Sequence, residues 1–254
     1  MDTPRWQPGD TLRNVEDMHI EQIEMNDNMD GRVLDVLRDR PEWPAAVARL
    51  RQLYAQGGAA AEEQAARYGQ KYAGQRGAMV VDVVASRQRS YVFKVPRIVN
   101  GWREETREPT LAWLAANPPD GARLGLMASE PETMRRVAEN LVAFARGRRL
   151  DEDTGCRTWA EEVDGLEHAH RLDPVVGGVS GIGPALFAYM RMRCGGDAIK
   201  PDVRVGRELR HLGFEVPAGE HAILVVSKAA AAELGVDLLV LDQLLWWAEE
   251  YRKI

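Results

Sequence analysis

Apolar residues return every three or four positions along most of this chain, which is the spacing of amphipathic helices. Segment 132–145 shows it most clearly, because Met134, Val137, Leu141 and Phe144 fall on one stripe. The same spacing predicts helices over 30–38, 45–55, 59–72, 78–86, 89–99, 110–116, 159–170, 228–234 and 238–252. Only residues 222–226 indicate an extended segment. The pattern therefore predicts an all-α fold.

Glycine, proline and polar runs mark the breaks between these helices. Gly57-Gly58 separates segment 45–55 from segment 59–72, and residues 147–158 are polar enough to predict a loop. The first 30 residues are polar and acidic, which indicates an extension on the surface. Because no apolar run is long enough to cross a bilayer, we expect no membrane partner.

Composition is that of an ordinary globular chain of 254 residues, with 45% apolar and 28% charged residues. No secretory leader is visible, and neither Cys156 nor Cys194 has a Cys or His neighbour at metal-ligand spacing. We therefore expect reduced thiols, no metal, no cofactor and a monomer. The expected location is cytoplasmic, at the nucleoid if the source is bacterial.

Charge is distributed unevenly. The formal net charge of −6 argues against a protein that coats nucleic acid without specificity. Residues 191–211 nevertheless contain six Arg or Lys against three acidic residues, a local excess of three. Such a cluster is either a solvated helix face or a surface that binds phosphates.

The glycine pair Gly181 and Gly183 stands in the most informative segment, residues 179–213. Glycines allow a tight turn, and Pro184 suits the first turn of the helix that follows. Amides at such a helix N-terminus are a ready site for phosphate. Asp202 stands 17 residues beyond Ala185, at the head of a second, basic helix. The buried face of that second helix is formed by Val205, Leu209 and Leu212.

This order of hairpin and carboxylate resembles the helix-hairpin-helix DNA glycosylase superfamily, the endonuclease III and adenine glycosylase group. The hairpin corresponds to residues 177–184. Segments 79–95, 125–145 and 241–246 resemble, in order, the opening helix of the core, the helix before the hairpin, and the closing helix. The resemblance covers roughly residues 75–250. It implies two helical lobes around a DNA-binding cleft, with a core over 76–254 on which the helices of residues 1–75 pack.

The resemblance also assigns residues. It implies that Asp202 drives cleavage of the glycosidic bond and that the hairpin grips the DNA backbone through Gly181 and Gly183. Gln88 falls where the family places a side chain that enters the base stack, although a surface glutamine is an equal interpretation. Phosphate contacts are expected from Arg87, Arg89, Arg204 and Arg207. The aromatic candidates for a base pocket are Tyr91, Trp102 and Tyr189, and each could instead be core.

Ala185 departs from the family's bifunctional members, which carry a Schiff-base lysine at this position. Alanine is not a nucleophile, so the expected enzyme is monofunctional and uses water. Lys200 is close to Asp202 in sequence, but we expect it on the far side of the hairpin helix. Trp246 and Trp247 are assigned to packing of the last helix. The chain also lacks the four cysteines of the family's iron–sulfur cluster.

Three functions remain open on the sequence alone. The first is a monofunctional DNA glycosylase that flips a damaged or modified base out of duplex DNA and hydrolyses its bond to the sugar. The second is a helix-hairpin-helix module that binds DNA without catalysis, in which Asp202 is only a helix N-cap, a role for which Asp is a preferred residue. The third is a helical scaffold whose hairpin contacts protein. The sequence does not identify the base.

Overall fold

The computed structural model describes residues 32–89 and 91–248, and within these residues the chain is helical with no β-strand. The all-α prediction is confirmed. Residues 32–38 form a short helix. A 3₁₀ helix at Glu167–Leu172 lies between α7 and α8. The remaining helices are α1 Trp43–Tyr68, α2 Arg76–Ala85, α3 Val95–Glu105, α4 Leu111–Ala116, α5 Gly121–Leu124, α6 Glu130–Gly147, α7 Glu152–Glu162, α8 Pro184–Cys194, α9 Val203–His211, α10 Glu220–Leu234 and α11 Leu238–Trp246.

Two hydrophobic clusters organise these helices. One is built from α2 to α8 and reaches from Tyr72 to Ala198, with Leu239 added from α11. In the other, the buried residues of α1 pack with those of α9, α10 and α11. Burial of these apolar faces is the main favourable term in folding. The site described below lies where residues of both clusters meet.

Helix α2 is the centre of the first cluster, and all ten of its residues are buried. A helix that is apolar all round belongs in the interior. Its one acidic residue, Asp82, is therefore buried among apolar side chains and needs polar partners. Gly77 lets the start of α2 lie against the backbone of residues 109–110, since a Cβ there would lie 2.2 Å from the carbonyl oxygen of Thr110.

The predicted break at Gly57-Gly58 is wrong, because α1 runs through both glycines without interruption. Both are buried, and α11 packs along α1. Tertiary packing of this kind outweighs the helix cost of glycine, which is about 1 kcal/mol for each residue.

The extended segment predicted over 222–226 is also wrong. It forms the first half of α10, in which Ile223, Leu224 and Val226 are buried. Branched apolar residues favour strands locally, but the alanines that follow continue the helix to Gly235. That glycine closes it in the left-handed conformation, with φ of 69°.

Segment 89–99 is not one helix. Residues 86–89 and 91–94 form turns, and α3 begins only at Val95, with Pro96 in its first turn. Gln88, just before this segment, has a φ of 53°, which ends the helical path of α2.

The predicted loop 147–158 contains the start of α7, since the Asp151 carboxylate accepts a hydrogen bond from the Thr154 N–H and caps the helix. Predicted helix 159–170 is divided between the end of α7 and the 3₁₀ helix.

Two predictions fall partly or wholly outside the described residues: the surface extension over 1–30, and the last helix beyond residue 248. Among the described helices, none combines the length and the apolar character needed to cross a membrane.

Candidate functional site

An open cleft of about 1470 Å³ lies beside the glycine hairpin. Its walls come from the turn after α2, the hairpin, the N-terminus of α9 and the end of α11. Five basic side chains line it against two acidic ones. The basic residues are Arg87, Arg89, Arg171, Lys200 and Arg204, and the acidic residues are Asp202 and Glu220. This cleft is thus locally cationic in an acidic chain.

The hairpin is shaped by Asp173 and by glycines with specific steric roles. The buried Asp173 carboxylate accepts the N–H groups of Val175, Val176 and Gly177 at 2.8–3.0 Å and so fixes the turn. A Cβ at Gly177 would lie 1.8 Å from the carbonyl oxygen of His170. Gly181 has φ of 93°, and a Cβ there would lie 2.7 Å from Thr133 Oγ1. Only glycine fits these two positions without strain.

Gly183 has a different role. Its φ of −106° is available to any residue, and a Cβ there would meet no heavy atom within 4 Å. It stands at the N-cap of α8 and offers no side chain to cap the helix. The first amides of α8 are therefore left for another acceptor, which is the property expected of a phosphate contact. Ala185 follows on the same wall of the cleft.

Asp202 is the N-cap of α9. Its Oδ1 accepts the N–H groups of Arg204 and Val205 at 2.9 and 3.1 Å. The side chain is 21% exposed and lines both the cleft and the enclosed cavity described below. Capping uses Oδ1, whereas Oδ2 faces Lys200. Structural capping and a position in the cleft therefore coexist in this one carboxylate.

Lys200 lies in the cleft, so its predicted position on the far side of the hairpin helix is wrong. Its Nζ is 3.6 Å from Asp202 Oδ2 and 3.4 Å from Ser86 Oγ. The same ammonium lies 4.7 Å from the centre of the Tyr189 ring. Residues 198–202 are irregular, and their path brings the Lys200 side chain to Ser86 at the end of α2, which helical spacing does not predict.

The predicted phosphate-binding arginines differ in their partners. Arg89 makes a two-pronged ion pair with Glu130 at 2.6 and 2.8 Å, and the two side chains are 9% and 1% exposed. Arg204 donates to the carbonyl oxygen of Trp246 and stacks on the Trp246 ring. Arg207 pairs with Glu208 and lines neither this cleft nor the aromatic cavity described below. Of these four arginines, Arg87 alone has a guanidinium with no hydrogen bond or ion pair to another described residue.

Gln88 stands exposed at the tip of the turn that follows α2 and lines the cleft. Its φ of 53° is in the left-handed region, which costs a residue other than glycine about 1 kcal/mol or more. Strained positions of this kind concentrate at functional sites. The position agrees with a side chain presented to a ligand in the cleft.

Behind Asp202 lies a second, more enclosed cavity of about 650 Å³. Its aromatic walls come from α1, the turn after α2, α8 and the end of α11. Five aromatic side chains line it: Tyr68, Tyr91, Tyr189, Trp246 and Trp247. Flat apolar walls with a few polar groups are typical of a small-molecule pocket, and a nucleobase has a matching shape.

The floor of this aromatic cavity is a buried polar network around Asp82. Tyr189 donates to Asp82 Oδ2 at 2.8 Å, and Arg193 lies 3.4 Å from the same oxygen. Arg193 also donates to the hydroxyl groups of Tyr91 and Tyr189 at 2.8 and 2.9 Å. Burial alone would lower the pKa of Arg193, but Tyr189, Tyr68 and Asp82 outweigh it and raise that pKa. The network therefore holds two tyrosine rings in fixed positions.

Asp242, on α11, is the second carboxyl group of the aromatic cavity. It is 5% exposed, and its Oδ1 accepts the Lys200 N–H at 3.0 Å. Burial raises its pKa from 3.8 to about 7, and the nearby charge of Asp202 adds to the rise. A group with such a pKa exchanges a proton near neutral pH. The sequence interpretation saw only a closing helix here.

Most of the predicted site residues meet at these two cavities. Tyr91 and Tyr189 line the aromatic cavity, whereas Trp102 is 3% exposed in the first hydrophobic cluster and lines neither cavity. Trp246 and Trp247 were assigned to packing, but both line the aromatic cavity. Arg171 was missed because no pattern links the 3₁₀ helix to the cleft. The one available signal for Asp242 is a charged residue in an otherwise apolar helix.

In the described ranges, no three His, Cys, Asp or Glu side chains lie close enough together to hold a metal ion. Cys156 and Cys194 are free and buried, and they lie in contact although 38 residues separate them. Contact with Cys194, together with burial, raises the pKa of Cys156 well above 9.0. Both thiols belong to the core and not to the cleft.

Comparisons with protein-family models, with curated proteins and with solved structures find no match to this chain.

Proposed function

We propose that the protein is a monofunctional DNA glycosylase. One observation carries the proposal: the Asp202 carboxylate stands at the junction between a cationic cleft and an aromatic cavity. Duplex DNA would bind along the cleft, with its phosphates at the α8 N-terminus and at Arg87. An extruded base would enter the aromatic cavity, and its sugar would then lie beside Asp202.

The chemistry follows from that position. Cleavage of an N-glycosidic bond places positive charge on the sugar, and a fixed carboxylate stabilises that charge. Asp202 is already held by two backbone N–H groups, so little reorganisation is needed when the charge develops. The carboxylate also orients the attacking water and accepts its proton. Ala185 supplies no nucleophile at the hairpin helix, so water is the proposed nucleophile.

Base release tests this proposal directly. Duplexes that each contain one altered base are incubated with the protein, and abasic sites are then revealed by cleavage with alkali. We expect strand breaks with the wild-type protein and none with Asp202→Asn. Breaks at equal rate in both would exclude Asp202 as the catalytic residue.

A second candidate is a DNA-binding module without catalysis. It is favoured by the capping bonds of Asp202, which by themselves explain an aspartate at the start of α9. Binding of all the duplexes with no abasic product from any of them would support this second function.

A further inference from the structure

The charges around the aromatic cavity point to the class of base it accepts. We propose that this cavity takes a neutral base rich in carbonyl groups, such as an oxidised or deaminated base, and discriminates against a cationic alkylated base. The inference rests on the proposed glycosylase function. It adds the chemical class of the substrate, which neither the sequence nor the proposed mechanism supplies.

Cationic side chains of the protein already lie over most of the aromatic rings of this cavity. Four of the five aromatic walls have a cationic side chain of the protein over the ring. The distances to the ring centres are 3.9 Å for Arg193 on Tyr68, 4.7 Å for Lys200 on Tyr189, 4.1 Å for Arg204 on Trp246 and 5.7 Å for Lys71 on Tyr91. A cationic base gains affinity by lying over an electron-rich ring. Here it would meet like charge at these rings.

The charged side chains that line the cavity favour the same class of base. Three cationic side chains, Lys71, Arg193 and Lys200, line the aromatic cavity with the two carboxyl groups of Asp202 and Asp242. Burial raises the pKa of Asp242 to about 7, so part of its population is neutral at physiological pH. Arg193 is paired with the Asp82 carboxylate at the floor, so the cavity has an excess of positive charge where Asp242 is protonated. Carbonyl oxygens complement that charge, and a positively charged ring does not.

The charge of the leaving group differs between the two classes of base. Hydrolysis breaks the bond between the sugar carbon and the base nitrogen, and the bonding electron pair leaves with the base. Water oxygen bonds to the carbon and gives its proton to Asp202. A neutral base then departs as an anion that must gain a proton, whereas an alkylated cationic base departs neutral. Cations and a protonated carboxyl at Asp242 stabilise the first of these leaving groups and do nothing for the second.

A binding measurement tests the inference separately from catalysis. Duplexes are prepared with 2′-fluoroarabino sugars, which resist cleavage, and carry 8-oxoguanine, uracil or 7-methylguanine at one position. Dissociation constants are measured with the wild-type protein. We expect at least about tenfold tighter binding for one of the neutral bases than for 7-methylguanine. Equal or tighter binding of 7-methylguanine would overturn the inference.

Rates on cleavable duplexes separate this inference from the proposed function. Tighter binding of a neutral base, without release of any base, would support the inferred preference and exclude the proposed glycosylase function. Release of 7-methylguanine faster than of uracil and 8-oxoguanine would support a glycosylase and overturn the inference.

A charge variant adds a check, since Lys71 is exposed and reaches the buried network only through its hydrogen bond to the Tyr91 hydroxyl, at 3.1 Å. Its replacement keeps the contacts among Asp82, Tyr189 and Arg193. Lys71→Gln is expected to narrow the preference for the neutral base by severalfold. Arg67→Gln serves as the matched control, because Arg67 is four residues from Lys71, pairs with Glu63 in α1 and lies outside the lining. An unchanged preference in Lys71→Gln would count against the charge argument.

Discussion

The Asp202 carboxylate and the Lys200 ammonium face each other across 3.6 Å, with only Pro201 between them in the chain. Pro201 is buried, and Lys200 and Asp202 are both partly exposed to the cavities that meet at this point. The pair therefore places a carboxylate for charge stabilisation and an amine in one cleft. Which of these two side chains does chemistry is the central question for this protein.

Asp202→Asn is expected to lower base release on the order of a hundredfold or more, because it removes the charge that stabilises the transition state. The amide oxygen of asparagine keeps the N-cap bonds to the backbone, so folding and DNA binding should change little. Single-turnover release rates and thermal unfolding measure the two effects.

Asp120→Asn is the matched control for that substitution. Asp120 caps α5 through the same geometry, with Oδ1 accepting the N–H groups of the second and third residues beyond it. It lines neither cavity. We expect Asp120→Asn to leave base release unchanged. Equal loss in the two variants would mean that capping, and not catalysis, explains the effect.

Substitutions at Gly181 and Gly183 should separate the shape of the hairpin from access to its amides. Gly181→Ala forces a side chain into the left-handed region and against Thr133, which we expect to cost about 1–2 kcal/mol of stability. Gly183→Ala meets no neighbour, so its stability should equal that of the wild type. Both should weaken binding to any duplex sequence, since phosphate contacts carry no sequence information. Wild-type affinity in Gly183→Ala would place the DNA elsewhere.

Arg87 and Arg89 are adjacent in sequence and should respond in opposite ways. Arg87→Ala removes a cation that has no partner in the described ranges, so we expect normal stability. The slope of the logarithm of the DNA-binding constant against the logarithm of salt concentration should fall in magnitude by about 0.9. Arg89→Ala leaves Glu130 buried and unpaired, which typically costs about 3–5 kcal/mol. Chemical unfolding and binding titrations at several salt concentrations distinguish the two. The reverse pattern would show that Arg89 is the phosphate contact.

The sequence predicted what depends on short-range periodicity. The stripe of α6 and the buried face Val205, Leu209 and Leu212 are present, because spacing along one helix decides which side faces the core. It failed where tertiary packing overrides local preference, as at Gly57-Gly58 and in the first half of α10.

In the candidate site, too, residues with a local sequence signature were predicted, and residues that only the tertiary fold brings together were not. Asp202 and the hairpin have local signatures in a cap and a turn, and they were predicted. The floor of the aromatic cavity joins Asp82 in α2 to Arg193 in α8, which are 111 residues apart, and no local rule connects them. Lys200 was misplaced because the direction of a side chain in an irregular segment depends on the whole fold. Trp102 was misassigned because an aromatic residue at helical spacing has the same pattern in a core and in a pocket.

Asp242 should make stability depend on pH in a defined direction. The folded protein raises its pKa from 3.8 to about 7, so the folded state binds the proton more tightly than the unfolded chain. The proton on Asp242 therefore stabilises the folded state fully below about pH 4, and this stabilisation is lost as pH rises through 7. Asp242→Asn removes the ionisation. Its stability relative to the wild type should therefore increase by roughly 2–3 kcal/mol between pH 5 and pH 8. Urea unfolding at each pH measures this difference in stability. A difference that stays constant with pH would contradict a raised pKa at Asp242.

Borohydride should trap no covalent adduct between this protein and DNA, and base release should leave an abasic site without a nick. Ala185 provides no amine where a Schiff-base lysine would stand, so in the proposed reaction water attacks the sugar and no imine forms. Lys200 is the one amine beside Asp202 in the described part of the cleft. Its ammonium is engaged with Asp202, with Ser86 Oγ and with the Tyr189 ring, contacts that an attack on the sugar would forfeit.

The matched variants for this trapping experiment are Lys200→Ala and Lys71→Ala, since both lysines line the aromatic cavity and only Lys200 also lines the cleft. We expect no crosslink with the wild type or with either variant, and strand breaks only after alkali or heat. A crosslink that persists in Lys71→Ala and disappears in Lys200→Ala would identify Lys200 as a nucleophile. The enzyme would then cut the strand by β-elimination through the imine, and the monofunctional assignment would be wrong.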